Sequence, residues 1–309
     1  MARWRNFDSA AGRGAVSTGN EFADLLDAVH GIRWPSRSAV RSGVPGAHNS
    51  RLRGTSAEFT EYRPYRQGDD LGRIDWKLFA RSDRAYIRLS NDRAVLPTTI
   101  VLDASASMAF PVDSLAKWKY AAQIAVGLAA VARNSADPVG LVIAHTSKPV
   151  QLPPRTRQSA IHEVIRAVSE IQPGGDAPVS PSVSAAIRVS GRVVVITDFL
   201  GDSADLLVNA ARAVAGAREL HAIHIVAPEE MEPSRETRLV ADPELPDVRR
   251  PLTEEARAQY LTAFSAWRDD IAHDWSDAGV SYTLALAGAE EPASFIRRVT
   301  APRGMAASA

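Results

Sequence analysis

Five short apolar runs recur along the last two thirds of the chain, each separated from the next by helix-patterned sequence. They are TTIVLD (98–103), VGLVIAH (139–145), RVVVITDFL (192–200), LHAIHIVAP (220–228) and SYTLALA (281–287). The runs are nearly continuous in apolar residues rather than alternating. That pattern belongs to strands covered on both faces. Between them, residues 114–133 space Leu115, Trp118, Ala122, Ala125 and Ala129 along one face, with Ile124, Leu128 and Val131 widening it. Residues 158–171 place Ile161, Val164, Ile165 and Val168 at helical intervals, and 203–217, 253–278 and 290–299 also read as helices. Strands alternating with helices predict right-handed crossovers and an α/β fold with a doubly wound, mostly parallel sheet. In such sheets ligands bind beyond the carboxyl ends of the strands. The chemistry is therefore expected at 103–107, 174–176 and 197–198.

The remainder of the chain reads as satellites of that sheet. Residues 1–19 are small and polar, a tail, and 301–309 close the chain similarly. Residues 20–97 form an N-terminal segment predicted to pack on the main domain of 98–300. Within it Phe22, Leu25, Leu26 and Val29 define a short amphipathic helix over 21–30. Residues 34–55, rich in Pro, Ser, Gly and Arg, read as loop. Residues 56–93 are dense in aromatics and charge, with a strand at 85–91, and suit a small β-containing subdomain. Lys148–Leu152 reads as a hairpin partner, and 229–251 as an excursion or hairpin.

Composition narrows the chemistry. The 309 residues contain no Cys, which removes disulfides, thiolate metal sites and a thiol nucleophile. There is no HExxH and no GxxxxGK[ST]. Thirty-six basic and 36 acidic residues balance to a net charge of zero, so bulk charge gives no reason to expect nucleic-acid binding. The longest apolar run, Ile124 to Ala132, is too short to cross a bilayer, and no apolar leader follows Met1. The expectation is a cytoplasmic protein with no integral membrane segment.

The sharpest motif is Asp103-Ala104-Ser105-Ala106-Ser107, directly after a strand. Hard divalent cations take carboxylate, hydroxyl and water oxygens. A loop with oxygen side chains at alternate positions aims them into one concavity. A second acid, Asp198, stands at the end of another strand. The plainer reading is that Asp103, Ser105 and Ser107 only cap the following helix.

The order and spacing resemble a von Willebrand factor type A domain. There, a DxSxS loop, a Thr from a later loop and an Asp after a still later strand form a metal-ion-dependent adhesion site. The resemblance places Asp103, Ser105, Ser107 and Asp198 as ligands of a divalent cation, Mg²⁺ by expectation. This chain departs at the Thr, where it reads Gly174-Gly175-Asp176, so Asp176 is a substitute candidate.

Upstream, His48-Asn49-Ser50, Gly54, Glu58-Phe59, Tyr62-Arg63, Tyr65, Gly68-Asp69-Asp70, Arg73-Ile74-Asp75-Trp76 and Ala80-Arg81 run in order. With the Asp103 motif they resemble the bacterial domain of unknown function 58 family over residues 40–230. The members are von Willebrand A-like proteins often paired with MoxR-type AAA+ ATPases. The resemblance implies a non-enzymatic, metal-dependent protein-binding module, an adaptor or chaperone component beside such an ATPase. Two alternatives stay open: a metal-dependent, phosphatase-like hydrolase, and a metal-free scaffold. Glu58, Arg63, Asp69, Asp70, Arg73, Asp75 and Arg81 read either as an internal ion network over packed Trp76 and Phe79, or as a partner-recognition surface. His221 and His224, three apart on a strand, are expected on opposite faces.

Overall fold

The computed structural model describes residues 18–36, 45–49, 59–67, 69, 74–90, 93–146, 149–234, 239–241 and 249–302. In chain order the elements begin with α1 (Thr18–Ala28), β1 (Pro45–Asn49), β2 (Phe59–Pro64), α2 (Trp76–Ser82), β3 (Tyr86–Ser90), β4 (Arg93–Ala94) and β5 (Thr98–Asp103). They continue with α3 (Ala116–Asn134), β6 (Val139–Ala144), β7 (Val150–Arg155), α4 (Ala160–Glu170), α5 (Ser180–Val189), β8 (Arg192–Thr197), α6 (Ser203–Ala215) and β9 (Glu219–Val226). The chain closes with α7 (Pro228–Met231), β10 (Leu239–Ala241), β11 (Arg249–Pro251), α8 (Glu254–Asp277), β12 (Ser281–Leu286) and α9 (Pro292–Thr300).

Six strands form one sheet in the order β12-β9-β8-β5-β6-β7. All neighbours are parallel except the edge strand β7, which runs antiparallel to β6. The expected doubly wound, mostly parallel sheet is thus the architecture. β5, β6, β8 and β9 are buried at every residue, which is why their sequences do not alternate. Successive residues still feed opposite layers. Ile100, Leu102, Val194, Ile196 and Ile223 pack with Leu25 of α1, Ile124 and Leu128 of α3, Val164 of α4 and Phe295 of α9. Val101, Val193, Val195 and Ala222 pack with Val183 of α5, Leu206 of α6 and Trp275 of α8. The strand order reverses between β5 and β8, so the crevice at their carboxyl ends is the switch point of the sheet.

At the amino ends of the strands a buried arginine ties residues 34–35 down. Arg192 is fully buried, donates from Nε to Glu219 Oε2 at 3.0 Å, and lies over the Trp34 ring at 4.3 Å. Its Nη2 donates to Pro35 O at 3.0 Å, and Trp34 N donates to Ser135 Oγ at 2.8 Å. Asp137, 3.7 Å from Arg192 Nη1, accepts from Leu96 N at 2.8 Å. Burying this cation is tolerable because carboxylates and carbonyls surround it.

Some local expectations change. Residues 45–49, within the stretch read as loop, are β1, paired antiparallel with β4. α2 lies in the 56–93 region, where helix was not foreseen. Its start is written in Asp75, whose carboxylate accepts from Leu78 N at 2.9 Å. β2 and β3 form an antiparallel pair, and so do β10 and β11 within 229–251, the stretch read as an excursion or hairpin. No helix among the described residues is long and apolar enough to cross a membrane.

Candidate metal centre

β5 delivers Asp103 to the crevice because its apolar run ends there, and the next residues turn away in a short 3-10 helix, Ala106–Ala109. Asp103 is 4 % exposed, with Ser105 and Ser107 also buried. Asp103 Oδ1 accepts from Ser105 N at 2.9 Å, which bends the loop back on itself. Ser105 Oγ and Ser107 Oγ are 3.1 Å apart. Three side-chain oxygens of the DxSxS motif are therefore held close together by local bonding.

Thr197 completes the group, a residue the motif reading did not select. β5 and β8 pair Leu102 with Ile196. The next step along each strand sets Thr197 beside Asp103, and Thr197 Oγ1 donates to Asp103 Oδ2 at 2.6 Å. The period of two then turns Asp198 toward the other face of the sheet. There it meets Lys117 of α3, whose Nζ donates to Asp198 Oδ2 at 2.7 Å and to Glu230 Oε1 at 2.9 Å. Asp198 Oδ1 accepts from Leu200 N at 3.2 Å. Asp103 and Asp198 thus stand at adjacent strand ends with separate partners. The sequence signal for Lys117 was its helical spacing with Ala121, Ile124 and Leu128, a cation in register with a buried stripe.

Asp176 is exposed at the margin of a cleft of about 270 Å³ that Asp103, Ser105, Thr197, Phe199 and Asp202 also line. The Gly174-Gly175 loop is stitched to the DxSxS loop by Ala106 N to Gly175 O and Gly174 N to Ala104 O, both 2.8 Å. Thr146 Oγ1 donates to Gly174 O at 2.9 Å. Gly175 has φ +78, and a Cβ there would fall 1.9 Å from Thr146 Oγ1, so this position requires glycine on both counts. Phe199, between Asp198 and Leu200, has φ 59, a backbone region costly for a bulky residue. Its ring is held by His224, Trp275 and Tyr282.

Burial and mutual charge set how the acids at the strand ends titrate. Burial, followed by the charge of Asp198, raises the Asp103 carboxyl to about 6 against the bonds from Thr197 and Ser105. Burial opposes the charge of Lys117, but Asp198 and Glu230 outweigh it and hold its pKa above the ordinary value. Burial also raises Glu230, partly offset by Lys117. Asp198 and Glu230 share the single Lys117 ammonium, while Asp103 is held apart from them by Thr197 and Ser105. Among the described residues no three His, Asp or Glu gather to hold a metal ion. The donors available here are one carboxylate and hydroxyls, a set of hard oxygens suited to Mg²⁺ with retained water.

The histidines lie elsewhere. His221 packs against Trp34 at 4.9 Å on one face of β9. His224 lies on the other, with Nδ1 2.7 Å from Tyr282 Oη. Burial lowers His224 to about 4.

Glu58, Asp70 and Arg73 lie outside the described residues. Arg63 Nη2 donates to Asp69 Oδ1 at 2.8 Å, a pair about a quarter exposed. Asp75 caps α2 and accepts from Tyr62 Oη at 2.8 Å. Arg81 is exposed. Trp76 and Phe79 do not pack beneath these charges, being 61 % and 36 % exposed. α2 buries none of its residues.

Several known proteins are similar to this chain. Uncharacterized protein Rv1480 of Mycobacterium tuberculosis (strain H37Rv) is 29% identical over 258 residues, spanning 80% of this chain and 77% of the relative. Uncharacterized protein Mb1516 of Mycobacterium bovis gives the same figures. Among solved structures, the conserved hypothetical protein BatB from Bacteroides thetaiotaomicron is 17% identical, with a TM-score of 0.42, over 65% of this chain and 95% of that one. The SpRpn10 VWA domain is 12% identical, with a TM-score of 0.38, over 66% and 95%. The family model described as Protein of unknown function DUF58 matches residues 61–269, from β2 through the whole switch-point crevice into α8, and the chain belongs to that family.

Proposed function

We propose that this chain is a non-enzymatic protein-binding module whose crevice between β5 and β8 holds a divalent cation, Mg²⁺ first. Asp103, Ser105 and Ser107 supply oxygens to the ion, and Asp198 and Asp176 act on it through charge and water. Bound there, the ion offers an open coordination position to an oxygen ligand of a protein partner. The observation that carries the reading is the gathering of Asp103, Ser105, Ser107 and Thr197 at the switch point. The DUF58 resemblance nominates a MoxR-type AAA+ ATPase as the partner and an adaptor or chaperone role, in the cytoplasm.

A second reading is a metal-free scaffold. Lys117 favours it, because its ammonium already supplies positive charge to Asp198 from inside the fold. Calorimetric titration of Mg²⁺ into the wild type and Asp103→Ala separates the two. Saturable heat lost in the variant supports the ion site. Capture of the co-expressed ATPase, with and without chelator, then tests the partner. Equal capture by wild type and Asp103→Ala, indifferent to chelator, leaves the scaffold reading.

A further inference from the structure

A seven-residue helix that buries nothing has little reason of its own to persist, since short helices in water depend on packing. α2 is such a helix. It is fixed at both ends, by the Asp75 cap and by Asp83 in the left-handed region at φ 51, yet none of its residues is buried. Trp76 stands 61 % exposed, whereas Trp34, Trp118 and Trp275 are buried. Phe79 meets Trp76 edge-on with ring centroids 5.9 Å apart, and Tyr62 is 41 % exposed on the adjoining strand. The fold thus spends two caps on displaying an aromatic anchor.

The charges around the anchor are divided in a particular way. The acids have internal work. Asp69 accepts from Arg63 Nη2 and Arg66 N, and Asp75 accepts from Leu78 N and Tyr62 Oη. Lys77, Arg81 and Arg84 are exposed, and among the described residues no ion pair engages them. Among the described residues Asp83 is the exposed acid of this stretch without such an internal role for its carboxylate. Three exposed cations therefore share α2 and the turn after it with an exposed Trp.

We propose that the face of α2 around Trp76 is a docking surface for a protein whose surface carries an apolar pocket rimmed by Asp or Glu. Trp and Arg are the residues that most often dominate protein interfaces, the ring filling a pocket and the cations meeting its rim. A single-stranded nucleic acid fits less well. Trp76 and Phe79 meet at 82°, so they present no parallel ring faces to successive bases. An anionic membrane fits less well too, because the exposed Asp83 at the end of α2 would repel its headgroups. The surface needs no ion, and the proposal stands apart from the occupancy of the crevice.

The test uses the full chain and Trp76 emission, assigned by difference from Trp76→Phe. Four probes are titrated: a peptide alternating Leu with Glu, its Lys-for-Glu counterpart, a short oligothymidylate, and phosphatidylserine vesicles. The expected result is saturable binding of the Glu peptide that weakens as salt rises. It should fall at least about tenfold in Trp76→Ala. The double variant Lys77→Glu with Arg81→Glu should lose it and gain the Lys peptide. Both variants should keep the wild-type melting curve, and the charge-reversed one carries the test if Trp76→Ala does not fold. Absence of Glu-peptide binding, binding unchanged in both variants, or preference for oligonucleotide or vesicles would overturn the proposal.

Discussion

Lys117 Nζ lies 2.7 Å from Asp198 Oδ2, with the lysine side chain fully shut off from water and the aspartate 3 % exposed. The same ammonium reaches Glu230 on α7, so one cation links the end of β8 to the segment after β9. A buried pair of this kind is worth little against an apolar replacement of both partners, but breaking it strands a charge. Lys117→Met should therefore lower stability by about 3–5 kcal/mol, read by urea denaturation in chelator. If the crevice takes Mg²⁺, the ion should recover more stability in this variant than in wild type, because Asp198 is then uncompensated. Equal Mg²⁺ effects on the two proteins would count against the ion site.

The pH dependence follows from two buried groups of opposite sign. Asp103 has a folded pKa raised from 3.8 to about 6. Its contribution to stability is fully present below 3.8 and is lost as pH rises through 6, on the order of 3 kcal/mol over that window. His224 is depressed from 6.5 to about 4, so its contribution is present above 6.5 and is lost as pH falls through 4. In chelator the two oppose each other between 4 and 6. Asp103→Asn removes the first, so the variant should lose stability more steeply than wild type as pH drops across that range. A stability difference between the two proteins that is flat with pH would disprove the assignment.

Arg192 and Arg63 should respond very differently to truncation. Arg192→Met leaves Glu219 and Asp137 facing a buried methionine and releases the Trp34 clasp, a loss of about 3–5 kcal/mol in a denaturation curve. Arg63 shares a partly exposed pair with Asp69, so Arg63→Ala should melt with the wild type. A large loss at Arg63 would overturn that expectation.

Gly175→Ala should strain the loop that meets the DxSxS turn. The added methyl collides with Thr146, and φ +78 is itself unfavourable for alanine. Together these should cost about 1–3 kcal/mol. Pairing the change with Thr146→Gly should relieve the collision and leave the backbone cost, so the double variant should recover only part of the loss. Crevice ion affinity, measured calorimetrically, should follow the same order.

Much of the architecture is written in local pattern. Uninterrupted apolar runs such as Val193–Ile196, short and β-branched, suit strands covered twice, and the amphipathic spacing of α4 and α9 fixes which sides face them. The DxSxS turn is equally local, since Asp103 bonds the backbone of Ser105 two residues on. The placement of His221 and His224 on opposite faces follows from the period of two alone. The helix α2 does not show in the pattern because its Asp75 cap starts a run too short and too exposed to carry an apolar stripe.

Tertiary structure decided what the acidic residues face. Asp103 and Asp198 are 95 positions apart in the numbering, and both end apolar strands, which is all a linear reading can say. The parallel register of β5 and β8 sets Thr197, not Asp198, against Asp103. Which cation Asp198 meets depends on how α3 lies across the sheet, and Lys117 reaches it from 81 residues away. Periodicity specifies the face a residue takes within its own element. The partner across a gap is chosen by register and helix packing, long-range relations that no short window of sequence contains.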